Sequence, residues 1–77
     1  MEHLIPLSTL PRGYRAQVAE VLGGPEQVHR LRELGVCGGV DVEVVESGSP
    51  CILRLDGAKL CFRGNELVNV LVRPAAG

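Results

Sequence analysis

The stretch VHRLRELGVCGGVDVEVVES, residues 28–47, decides the fold because its hydrophobic period changes halfway along. Val28, Leu31 and Leu34 recur every three residues while Arg30, Arg32 and Glu33 fall elsewhere, which predicts a short helix with one narrow apolar stripe facing a core. Gly35 can take the positive φ that ends a helix, and its amide can bond a carbonyl of the last turn. Gly38-Gly39 signals a turn. After it Val40, Val42 and Val44 alternate with Asp41, Glu43 and Val45, the period of a half-buried strand.

Outward from this unit the chain reads as short strands. Residues 14–22 suit a first strand, with Ala16 and Val18 inward, Arg15, Gln17 and Ala19 outward, and a bulge where Glu20-Val21-Leu22 breaks the alternation. Gly23-Gly24 releases it. Pro25 fits a first helical turn, where an amide would have no partner, and Glu26 favours the helix dipole, so the helix spans about residues 25–34. Upstream, Leu4, Ile5, Leu7 and Leu10 lie around Pro6 and form an extended arm on the sheet edge, with a turn at Pro11-Arg12-Gly13.

Downstream of the strand at 40–46, Ser47-Gly48-Ser49-Pro50 leads into residues 51–55, and Asp56-Gly57 is a two-residue hairpin turn into residues 58–63. That loop length sets Leu55 opposite Ala58, Leu53 opposite Leu60 and Cys51 opposite Phe62. Leu53, Leu55, Leu60, Phe62 and Cys51 then share the core face, and Cys61 lies on the other with Ile52 and Arg54. A Cys51–Cys61 disulfide does not fit this geometry. A helical turn near residues 64–67 leads to a closing strand at 68–72 that Pro74 ends, and Ala75-Ala76-Gly77 is expected to be disordered. The fold class is mainly β: a small barrel of about five antiparallel strands with one short helix, in a single domain spanning 1–77. Residues 58–63 offer an edge for pairing that Lys59 and Arg63 blunt.

Composition narrows the function. The formal net charge is −1 and the eight basic residues are spread from Arg12 to Arg73, without the basic stripe that neutralises the phosphates of a nucleic-acid duplex. One tyrosine, one phenylalanine and no tryptophan make no platform for stacking bases. No apolar run approaches the roughly eighteen residues that span a bilayer, and residues 1–10 carry no basic leader, so the sequence predicts a cytoplasmic protein without direct membrane insertion. Cys37, Cys51 and Cys61 match no zinc-binding spacing and read as reduced, small apolar residues. Neither glycine pair is followed by the Lys-Ser/Thr of a phosphate loop, and His3 and His29 have no motif partner. No enzyme, cofactor or dedicated metal site is therefore expected.

The order of parts resembles a known family. Leu7-Ser8 and Pro11-Arg12-Gly13 before the first strand, Arg30-Leu31-Arg32-Glu33-Leu34-Gly35-Val36, Gly39-Val40-Asp41-Val42-Glu43-Val44, Leu60-Cys61-Phe62-Arg63 and Val70-Leu71-Val72 together resemble the FeoA family of small proteins of bacterial ferrous-iron uptake. The resemblance covers nearly the whole chain, and its most specific part is the segment from Arg30 through Val44. It implies an SH3-like barrel and an accessory role beside FeoB, the membrane ferrous-iron transporter with a cytoplasmic GTP-binding domain. The cysteines at 37, 51 and 61 depart from the family pattern.

On that reading the partner-binding surface is the helix and the loop after it: His29, Arg30, Arg32 and Glu33 on the solvated side, and Leu34, Val36 and Cys37 at the exit. Against it stands the plainer reading that Leu31 and Leu34 pack inward and the charges are a solvated face. Gly35, Gly39 and Gly57 are assigned to turn geometry. The alternative function is an Fe(II) carrier or sensor drawing on His3, His29, Cys37, Asp41, Glu43 and Cys61, residue types that ferrous iron accepts. No two of them sit at an i, i+4 ligand spacing on the helix.

Overall fold

The computed structural model describes residues 3–75. Six strands form one antiparallel sheet: β1 (Ile5–Pro6), β2 (Arg15–Val21), β3 (Asp41–Glu46), β4 (Cys51–Leu55), β5 (Ala58–Phe62) and β6 (Val70–Pro74). Helix α1 (Pro25–Glu33) lies between β2 and β3 in the chain, and 3₁₀ turns occupy Leu7–Thr9 and Gly64–Leu67. The ladder runs β1-β6-β2-β3-β4-β5, so β1 and β5 are its two ends.

The sixth strand is the arm. Ile5 pairs with Val72 and Pro6 with Leu71, and the chain then turns at once, with the Thr9 hydroxyl donating to the Pro6 carbonyl at 2.7 Å. A two-residue strand shows no alternation, which is why periodicity counted about five. The turn that follows buries Leu7 and Leu10.

The inward faces of the long strands meet in one cluster: Ala16 and Val18 of β2, Val42 and Val44 of β3, Cys51, Leu53 and Leu55 of β4, Phe62 of β5, and Val70 and Val72 of β6. Each fully buried aliphatic side chain contributes roughly 1.5–3 kcal/mol. Two bulges bend the sheet around this core, one in β2 between Val18 and Glu20 and one in β3 between Val44 and Glu46. The first lies just N-terminal to the predicted break. The second escaped notice because Val44-Val45 reads as a plain apolar run.

The hairpin has the expected register, Leu55 opposite Ala58, Leu53 opposite Leu60 and Cys51 opposite Phe62. Asp56 and Gly57 have φ of 48° and 82°, the two positive values of a type I′ turn. The chain ends differently from expectation. Val68 caps the second 3₁₀ turn and is exposed, so β6 starts at Val70; Pro74 stays in the strand, opposite Ala16. Ala75, expected to be disordered, donates its N–H to the Arg15 carbonyl at 3.0 Å, while residues 76 and 77 lie outside the described residues.

The end of α1 fixes its surroundings. Gly35 (φ 95°) donates to the Arg32 carbonyl at 3.0 Å and Val36 to the Leu31 carbonyl at 2.8 Å, the paired bonds of a Schellman motif. That motif carries an apolar contact between the residue after the glycine and the residue five before it, and here both Val36 and Leu31 are buried in the core. The predicted stripe is accordingly shorter than drawn. Steps of three residues turn back about 60° each time, so Val28 and Leu34 diverge to either side of Leu31. Val28 is half-buried and Leu34 is 39% exposed.

Cys51 is buried on the core face and Cys61 exposed on the other, both as free thiols. Burial raises the Cys51 thiol above its ordinary value, and the nearby Cys61 adds to the rise. The unfolded chain therefore ionises this thiol first as pH increases. The stability contribution of Cys51 should be constant at neutral pH, decline above about pH 8.5, and level off only beyond the raised folded value. Thermal melts of the parent and of Cys51→Ala across that range should diverge in slope; parallel curves would refute the assignment.

An apolar groove at the helix exit

Three elements converge where α1 ends. Leu34 caps the helix, the loop 35–40 runs back toward β2, and the β4–β5 hairpin stands opposite. Val18 ties the loop down, receiving the Gly39 N–H at its carbonyl (2.7 Å) and donating its own N–H to the Val40 carbonyl (2.8 Å). Gly38 passes so close to β2 that a Cβ there would sit 3.2 Å from the Ala19 carbonyl oxygen. The loop is thus an extension of the β2–β3 ladder.

Between these elements lies an open groove of about 720 Å³, floored by Leu34, Cys37, Val40, Ala58 and Leu60, with Asp41 and Asp56 also lining it. Its volume falls within the range of about 300–1,000 Å³ in which proteins accommodate ligand groups. Leu34 is a large hydrophobic residue left in solvent, and Val40 and Leu60 are only partly covered. The Cys37 thiol is half-buried and points at the Gly35 carbonyl, 3.9 Å away.

Of the residues predicted to bind a partner, Leu34 and Cys37 line this groove, and Gly35 does too. Val36 does not: it is fully buried, because the Schellman motif turns it into the core, and it is withdrawn from the site. His29 and Glu33 pair with each other one turn apart on the exposed helix face. Arg30 reaches away from the groove to the Glu66 carboxylate at 3.4 Å, and Gln27 donates to the Glu66 carbonyl at 3.5 Å, so the helix is anchored to the second 3₁₀ turn. Glu66 also accepts the Arg63 N–H at 3.3 Å, the acidic half of a capping box. Arg32 is exposed and makes no ion pair among the described residues.

Sequence reasoning missed Val40, Ala58 and Leu60 as part of the site. The hairpin register already put Ala58 and Leu60 on the inner face; what it lacked was the knowledge that this end of the hairpin overhangs the core. The six candidate metal ligands stay apart. Cys37 and Asp41 share the groove, Glu43 is paired with Arg54 at 3.3 Å, and no group of three or more His, Cys, Asp or Glu side chains forms a metal site among the described residues.

A second cleft, about 620 Å³, crosses the outer face of β6, β2, β3 and β4. Register sets its charges in rows: Arg15 opposite Glu43 opposite Arg54, and Arg73 opposite Gln17 opposite Asp41. Arg73 donates to the Gln17 side-chain oxygen at 2.9 Å. Arg15, Arg54 and Arg73 are balanced by Asp41, Glu43 and Asp56, so the cleft presents no net field to a polyanion.

No helix among the described residues is long and apolar enough to cross a membrane. A comparison with the curated proteins finds no match. Among solved structures, the chain is similar to the FeoA protein from Chlorobium tepidum, with 33% identity, a TM-score of 0.85, and 95% of this chain and 72% of that one covered. It is similar to the zinc complex of Stenotrophomonas maltophilia FeoA, described as a unique procaryotic SH3 domain protein, at 30% identity, TM-score 0.73 and 88% coverage of both chains. A crystal structure of an iron uptake regulatory protein (FeoA) matches at 27% identity with a TM-score of 0.89 over 95% of this chain and all of that one. The fold is therefore the SH3-like barrel of these relatives, and, because the FeoA domain model matches residues 5–74, the chain belongs to the FeoA family.

Proposed function

We propose that this protein is a cytoplasmic accessory factor of ferrous-iron uptake that binds a FeoB-type transporter through the groove at the helix exit and modulates its assembly or GTP cycle. FeoA family membership implies a role in ferrous-iron transport. The observation that carries the finer reading is the groove itself: an exposed Leu34 beside partly covered Val40 and Leu60, held by hydrogen bonds on a rigid frame. Apolar surface left open in this way marks interaction sites, and binding energy concentrates in such pockets. Asp41 and Asp56, which also line the groove, supply polar groups at its margin, the usual surround of an apolar contact.

The test is a titration of isotope-labelled protein with the soluble GTP-binding domain of its transporter, followed through backbone amide shifts. Saturable shifts at Leu34, Cys37, Val40 and Leu60 are expected. Shifts confined to the charged cleft across β2, β3 and β6 would move the interface to that neighbouring surface, and an unchanged spectrum would overturn binding to that domain.

A further inference from the structure

The groove stops at β5, and β5 is the last strand of the ladder, so among the described residues one row of its backbone groups has no strand beside it. The hairpin says which row. Leu55 and Ala58 flank the type I′ turn and form the first hydrogen-bonded pair, and Leu53–Leu60 and Cys51–Phe62 follow at every second position. Ala58, Leu60 and Phe62 thus direct their N–H and C=O groups to β4, leaving those of Lys59 and Cys61 at the open edge. Among the described residues no backbone bond outside the strand ladders reaches Ala58–Phe62.

The two faces of this edge differ. On the inner face Ala58 and Leu60 line the groove. On the outer face Lys59 and Cys61 are exposed and Arg63 follows. Lys59 lies directly opposite Arg54, whose carboxylate partner Glu43 is on the far side, in β3. Neither Lys59 nor Arg63 forms an ion pair among the described residues. Two uncompensated cations thus flank an open row of hydrogen-bonding groups, with an apolar groove on the reverse.

We propose that β5 accepts an extended partner segment as an added strand, one that alternates acidic and aliphatic residues. Its carboxylates face Lys59 and Arg63, and its aliphatic side chains enter the groove beside Leu60. Alternation of a strand's side chains between faces requires that pattern, and cross-strand charge pairs reward it. In the register centred on Cys61 the same cations oppose a second copy of this chain. Antiparallel pairing of two β5 strands about Cys61 brings Lys59 against Arg63 twice, and like charges directly opposite repel.

This rests on the interaction reading above, and the experiment separates the two. Labelled protein is titrated with a short peptide alternating valine and glutamate, and in parallel with one alternating valine and lysine. The glutamate peptide should shift the Lys59 and Cys61 amides saturably and slow their hydrogen exchange, and should bind at least about tenfold more tightly than the lysine peptide at low salt. Lys59→Glu, a surface change in an edge strand, should keep a native amide spectrum and erase or invert that preference. Shifts confined to Leu34, Cys37 and Val40, with Lys59 and Cys61 unmoved, would overturn strand addition and leave groove binding intact. Silence toward both peptides from protein that still responds to the transporter domain would overturn it equally.

Discussion

Val36→Asp is expected to leave the protein unfolded under conditions in which the parent is native. Val36 is completely shielded from solvent, at the point where the Schellman motif folds the chain from α1 back onto the sheet. A carboxylate placed there loses its hydration with no partner nearby, an effective cost of several kcal/mol, and forfeits roughly 1.5 kcal/mol or more of valine burial. At about 0.05–0.15 kcal/mol per residue, a chain of this length has only about 4–12 kcal/mol of stability in total. Loss of amide chemical-shift dispersion and of a cooperative thermal transition are the readouts. Val36→Ile, which keeps the side chain apolar, should preserve both. A native spectrum for Val36→Asp would return Val36 to the surface where the sequence placed it.

Leu34→Asp, two residues earlier, should do the reverse: spare the fold and damage function. The side chain is exposed, and the residue sits at φ −81°, ψ −3°, a backbone conformation that aspartate tolerates. The negative charge at a helix C-terminus is unfavourable by about 0.3–1 kcal/mol, a small fraction of the total. In the groove it replaces the most exposed apolar anchor with a carboxylate that any apolar partner must desolvate. Affinity for the transporter's GTP-binding domain should fall at least tenfold, about 1.4 kcal/mol, as for a central contact residue. The same amide titration that maps the interface gives the dissociation constants. Equal affinity of parent and Leu34→Asp would remove the groove from the interface.

These two neighbours show where the sequence was legible. Helix, glycine stop, hairpin and register follow from local rules: period three, positive φ after a helix, a two-residue turn between alternating runs. Each rule acts within a few residues; the glycine stop, the turn and the register are met at Gly35, Asp56-Gly57 and the Leu53–Leu60 pair, while the period-three stripe holds only at Leu31. The fates of Leu34 and Val36 depend instead on how the helix exit meets the sheet. The stripe assigned both leucines to one face, although helical geometry carries Leu34 off it, and Val36 read as loop although its amide is bound back to Leu31. The groove was harder still. Leu34, Val40 and Leu60 come from a cap, a ladder extension and an edge strand, and they meet only in the tertiary fold. No single element's period contains that information. The family resemblance supplied the fold and the functional context, but it did not separate the residues that line the groove from those beneath it.

The inequality of the ladder's two ends has a consequence for stoichiometry. β1 is two residues long, one of them a proline without an N–H, whereas β5 is five long and leaves the groups of both Lys59 and Cys61 open. An interaction that extends the sheet can use one end and not the other, so it terminates after a single addition and cannot propagate into a fibre. Complexes built this way are one-to-one, and their extent is set by the amount of partner present.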